Sequence, residues 1–152
     1  MEEKNKEKSK YQMIANYIKD LSFEIPSPDC FVDAAQNLNK YETKVDISNK
    51  PLKNGMLELN CKLIFEAPKE VQNKIYAEAC LAVVFKITDT ELKAEEVKRI
   101  ILAEIPDLYA KKITDLITEL FQKSGFKEFK FKKKINFKEL YEQQSANPTQ
   151  KH

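Results

Sequence analysis

The spacing of apolar residues changes period once along this chain, and that change constrains the fold more than any other feature. Up to Ile87 apolar and polar side chains alternate in four runs; from Thr90 onward they recur every three to four residues. Alternation is the period of a strand with one buried face, and the longer period is that of a helix with one buried stripe. A sheet built first and helices added afterwards follow directly, which makes the fold class α+β, a four-stranded antiparallel sheet followed by helices.

The first run spans 17–25. It places Tyr17, Lys19, Leu21, Phe23 and Ile25 on one face and Ile18, Asp20, Ser22 and Glu24 on the other. Asp20 and Glu24 then stand roughly 13 Å apart along the open face. Pro26 and Pro28 end the strand, because neither can donate a ladder hydrogen bond. In the second run, 41–47, Tyr41, Thr43, Val45 and Ile47 oppose Glu42, Lys44 and Asp46. Residues 49–54 carry turn chemistry, with Pro51 and an Asn54-Gly55 pair that signals a hairpin. The third run, 57–65, turns Leu57, Leu59, Cys61, Leu63 and Phe65 inward. The fourth, 75–87, sets Ile75, Ala77, Ala79, Leu81, Val83, Phe85 and Ile87 against Tyr76, Glu78, Cys80, Ala82, Val84 and Lys86. Its second half is apolar on both faces, so both faces need cover, from helices or from another subunit.

Beyond Thr90 a first helix is expected over 93–104, carrying Val97, Ile100 and Ile101. Pro106 both ends it and opens the next. Tyr109, Ile113, Leu116, Ile117, Leu120 and Phe121 form the stripe of that second, longer helix, and Gly125 follows it as a C′ residue. Asn136 and Glu139 have the spacing of a capping pair for a third, short helix. A polar N-terminal tail over 1–10, one domain over 11–144 and a polar tail over 145–152 complete the expected layout.

Composition removes several functions. Two glycines leave no phosphate-binding loop, and His152 is the sole histidine. Cys30, Cys61 and Cys80 are widely spaced with no CxxC, so they read as small buried apolar residues rather than a metal or disulfide framework. No enzyme, cofactor or metal is expected. Asp20 and Glu24 form a carboxylate pair, but an exposed strand face gives such a pair no cleft to work in. The start, MEEKNKEKSK, lacks the apolar region of a signal peptide, and no stretch of 18 apolar residues occurs. The expectation is a cytoplasmic chain without direct membrane insertion.

The string Lys19-Asp20-Leu21-Ser22-Phe23-Glu24-Ile25-Pro26 resembles the first strand of the SecB protein-export chaperones. The Ile105-Pro106 helix and the closing INFKELYEQQ at 135–144 are similar to two later elements of that family, in the same order. The resemblance covers about residues 11–143. It departs at Leu81–Phe85, where the family carries a glycine-containing segment, and in the linker GFKEFKFKKKINF, where the family is rich in proline and leucine. The family is also typically acidic, whereas this chain has a net charge of +2.

The resemblance implies an ATP-independent holdase, a homotetramer arranged as a dimer of dimers, that binds unfolded precursor proteins and delivers them to the SecA motor. It implies a SecA-docking face at Asp20, Glu24, Tyr76 and Glu78. It implies a client groove at the linker between the last two helices, here Phe126, Phe129, Phe131, Ile135 and Phe137. It also implies a subunit interface along Tyr109, Ile113, Leu116, Ile117 and Leu120, a stripe that packing on the chain's own sheet explains equally well.

Two rival readings stay open on the sequence alone. A SecB-like chaperone serving a toxin–antitoxin pair is the nearer rival, against which the Asp20, Glu24 and Glu78 set favours the export version. Separately, residues 123–138 hold seven lysines and one acid with phenylalanines interleaved, a pattern that single-stranded RNA surfaces use. Arg99 is the single arginine and no RNA-binding motif is present, so nucleic acid is not the expected partner.

Overall fold

The computed structural model describes residues 9–146. The expected polar ends fall largely outside that range. The order of elements is β1 (Tyr11–Glu24), α1 (Pro28–Asn37), β2 (Glu42–Pro51), β3 (Met56–Glu66), β4 (Tyr76–Ile87), α2 (Ala94–Arg99), α3 (Ile105–Lys123) and α4 (Phe137–Ala146). One antiparallel sheet has the strand order β1-β4-β3-β2. The α+β class stands, and β1 and β2 are its two edges.

Inner and outer faces follow the alternation on β2, β3 and β4. Leu59, Cys61, Leu63, Phe65, Ala77, Ala79, Leu81, Val83 and Phe85 form one core with Ile113, Ile117 and Phe121 of α3. Phe121 meets Phe23 and Phe65 edge-on, at 5.0 and 5.5 Å between ring centroids. Among the described residues, cover for the outer face of β4 does not come from a second layer. Ala82 and Cys80 are buried there because Tyr17 and Asp20 of β1 stand directly opposite them.

Four details depart from the pattern in the sequence. First, β1 begins at Tyr11, six residues early, and its ladder shifts register between Met13 and Ala15 and again between Ile18 and Asp20. A bulge sets two residues against one. Tyr17 and Lys19 therefore join Asp20 on the outer face, not Leu21 and Phe23 on the inner one. Second, residues after Pro26 form α1, capped by the Ser27 hydroxyl, which accepts from the Cys30 N–H, with Pro28 in its first turn. Third, β2 extends through residues expected to turn, and the reversal is confined to 52–55, where Asn54 and Gly55 take positive φ. Fourth, Pro106 does not interrupt the helices. The backbone stays helical from α2 into α3 through a π turn at Ile100–Glu104, whose closing bond runs from the Ile105 N–H to the Ile100 carbonyl. A wider turn makes room for a residue whose ring clashes with the fourth carbonyl back.

Candidate functional site

A cleft of about 840 Å³ lies between the linker that follows α3 and the β2 edge of the sheet. Its shape starts at the end of α3. Gly125 has φ +107°, its N–H donates to the Gln122 carbonyl, and the Phe126 N–H donates to the Phe121 carbonyl at 3.0 Å. That double bond pattern turns the chain sharply back over the helix end. A Cβ at Gly125 would stand 3.0 Å from the Phe31 ring of α1, so a side chain there would crowd that ring in addition to the strain of positive φ.

The reversed chain is then held down by rings. Phe129 stacks on Phe121 with centroids 4.2 Å apart and planes 16° apart. Phe129 and Phe131 each meet Phe65 edge-on at 5.5 Å. Gln122 donates through Nε2 to the Phe129 carbonyl, and Lys132 donates through Nζ to the Asn39 carbonyl. The facing wall is Leu38 from the turn after α1, Tyr41 just before β2, and Thr43 and Val45 from the inner side of β2. Burial pushes the Tyr41 phenol above its ordinary pKa, and its oxygen accepts the Ile75 N–H at 2.9 Å. Tyr41 is therefore a fixed, neutral wall.

Of the residues the resemblance assigns to this groove, Phe126, Phe129, Phe131 and Ile135 line the cleft. Phe137 does not. It opens α4, donates its N–H to Asp107 of α3, and is 2% exposed, so it is core. The facing wall lies outside the resemblance, although the inward alternation of Tyr41, Thr43 and Val45 is its signal. Asn136 does cap α4, through Oδ1 accepting the Glu139 N–H.

A second cluster occupies the outer face of β1 and β4. Glu24 stands opposite Tyr76, Ser22 opposite Glu78, and Asp20 opposite Cys80. Asp20 and Glu24 are exposed, and Tyr76 and Glu78 are half-buried. The Tyr76 hydroxyl donates to Glu78 Oε2 at 2.6 Å, and Lys62 pairs with Glu78 Oε1 at 3.2 Å. The bond from Tyr76, followed by Lys62, lowers the Glu78 pKa, while the same bond pushes the Tyr76 phenol up to about 12. All four residues face one side. The patch is a row of acids beside an anchored tyrosine.

The α3 stripe divides. Ile113 and Ile117 are 1% and 0% exposed inside the chain's own core, so they offer no surface to a second subunit. Tyr109, Leu116 and Leu120 remain half-buried. Apolar side chains are more open at Leu108 of α3 and along the β1 edge at Ile14, Ile18 and Leu21.

A groove of phenylalanines lies beside a four-stranded sheet, with an acidic patch on the far face. The family model described as preprotein translocase subunit SecB matches residues 4–148. The chain belongs to the SecB family. A putative protein-export protein SecB of Pelagibacter ubique is 32% identical over 135 residues, 89% of this chain and 96% of that protein. The protein-export protein SecB of Rhodospirillum centenum is 26% identical over 133 residues, 88% and 78% of the two chains. Among solved structures, the fold is similar to a SecB-like chaperone of Mycobacterium tuberculosis in complex with a ChAD peptide from an antitoxin. The TM-score is 0.59 at 11% identity, covering 82% of this chain and 90% of that one. Among the described residues no helix of this SecB-family chain is long and apolar enough to cross a membrane.

Proposed function

We propose that this SecB-family chain is an ATP-independent holdase of the cytoplasm that keeps precursor proteins unfolded and delivers them to the SecA motor. The observation that carries the reading is the open cleft with an aromatic floor of Phe65, Phe129 and Phe131. An unfolded client is defined by side chains that a native protein hides. Each Leu or Phe that moves from water into such a cleft contributes roughly 1.5–3 kcal/mol. Ordering the client opposes that gain, so a few buried side chains give binding that is firm but reversible. A protein that binds the unfolded state draws the folding equilibrium away from the native one by mass action, with no nucleotide consumed.

Asp20, Glu24, Tyr76 and Glu78 serve as the SecA-docking face in this account. The patch lies on the sheet face opposite the core, so docking and holding use separate surfaces. Names of the relatives, protein-export proteins in each case, favour export over a toxin–antitoxin clientele. The working form is a homotetramer, a dimer of dimers, with Tyr109, Leu116 and Leu120 of α3 and the apolar β1 edge meeting other copies.

Charge reversal at the patch tests the assignment. Asp20→Lys and Glu24→Lys should each weaken SecA binding at least tenfold, while suppression of aggregation of a denatured precursor stays at the level of the parent chain. Equal loss of both activities contradicts a separate docking face.

A further inference from the structure

The cleft's rim carries information that its floor does not. Lys127, Lys130, Lys132, Lys133 and Lys134 line it, against two carboxylates, Glu128 and Glu139. All five lysines are exposed. None of them takes part in an ion pair among the described residues, whereas three lysines on the sheet's outer face do: Lys19 with Glu58, Lys44 with Glu66 and Lys62 with Glu78. One rim lysine, Lys132, donates to a backbone carbonyl, which leaves its charge uncompensated.

We infer that this cleft selects clients by charge as well as by apolarity, and that its preferred occupant is an extended segment of aromatic and aliphatic residues flanked by aspartate or glutamate. The inference rests on the reading of the cleft as the client site. A client that seats a Phe or Leu between Phe131 and Tyr41 must lead its neighbouring residues out across the lysine rim. There a carboxylate finds a cation with no competing partner, and a basic flank finds repulsion. Lysine stems also cover apolar surface while their ammonium groups stay in water, so the rim extends the floor rather than interrupting it. Nucleic acid fits the cleft less well. Nucleic-acid surfaces present rings singly for base stacking, whereas here Phe129 stacks on Phe121 and Phe131 stands edge-on to Phe129 and Phe65.

Exposed charge pairs are individually weak, so the predicted preference is modest and sensitive to salt. The test uses fluorescence anisotropy with the full chain and three labelled peptides that share one Phe/Leu core and carry acidic, serine or lysine flanks. A labelled oligothymidylate forms a fourth arm. Measurements are made at about 0.1 M and about 1 M salt, where the Debye length falls from about 10 to about 3 Å. The acidic-flanked peptide should bind about tenfold more tightly than the lysine-flanked one at low salt, and the ratio should approach one at high salt. In Lys130→Glu/Lys133→Glu/Lys134→Glu the ratio should invert, and in the matching Gln variant it should vanish. Equal binding of the three peptides, or a preference for basic flanks, overturns the selectivity and leaves the groove itself standing. Failure of every peptide to bind overturns both. Oligothymidylate that binds more tightly than the acidic peptide and displaces it assigns the lysines to nucleic acid and overturns the inference. Peptide binding that emerges only as dilution lowers the mass by light scattering makes the cleft an interface between copies, which overturns the inference as well.

Discussion

Glu58 is buried at 7% exposure on the polar face of the sheet, a charged residue where charge is costly to hide. Lys19 reaches its Oε1 at 2.6 Å, Asn60 donates to the same oxygen, and the Tyr17 hydroxyl donates to Oε2. These partners, Lys19 foremost, hold its pKa at about 2. A carboxylate whose pKa is lower folded than unfolded stabilises the fold above its unfolded pKa and loses that contribution as pH falls toward its folded one. The window is therefore from about 4.3 down to about 2. Thermal unfolding followed across that window should show a steep loss of stability in the parent chain and a shallower one in Glu58→Gln; parallel curves would remove Glu58 from the account. Gly125 offers a second test at the same scale. Gly125→Ala places a side chain at positive φ against the Phe31 ring and should cost about 1–2 kcal/mol by denaturant titration.

Among the elements, β1 shows best what can be read in advance. Its acids are legible as outward-facing, because Asp20, Ser22 and Glu24 alternate with Leu21 and Phe23 in an unbroken stretch. Tyr17 and Lys19 are not, because an alternating string reads the same on either side of a bulge; the bulge depends on the partner strand. The core strands are legible for a simple reason: each has one apolar face. Helix α1 is legible in principle, as Ser27-Pro28-Asp29 is a cap, a first-turn proline and a first-turn acid, but the two prolines read more strongly as a strand end. Groove residues on the linker are visible as a cluster of phenylalanines. Their facing wall is not, since Tyr41 and Val45 meet them only through tertiary packing across more than eighty residues of chain. The bulge gives a test. Deleting Lys19 removes the extra residue and preserves both faces, while deleting Ser22 throws every residue before it onto the wrong one. Thermal unfolding should show a modest loss for the first deletion, from the missing Lys19–Glu58 pair, and a far larger loss for the second. Comparable losses would contradict the bulge.

At the scale of the whole molecule, the sheet divides the labour. One face carries the core, the phenylalanine cleft lies along its β2 edge, and the acid–tyrosine patch looks away from both. Under the proposed function, this separation would let a chain of 17.7 kDa hold a client and meet a motor at once. The open apolar side chains of the β1 edge and Leu108 account for the proposed assembly, since an unpaired edge with exposed Ile14, Ile18 and Leu21 is a template for pairing. Light scattering should give about four times 17.7 kDa. The central claim, that the Phe129–Phe131 cleft holds unfolded chains, is tested most directly by aggregation of a chemically denatured precursor without ATP, followed by turbidity with the parent chain and with Phe131→Glu. The parent chain should suppress aggregation at near-equimolar ratio, and Phe131→Glu should lose most of that suppression while its unfolding temperature stays within a few degrees. A parent chain that leaves aggregation unchanged, or a Phe131→Glu chain that holds clients equally well, would contradict the claim.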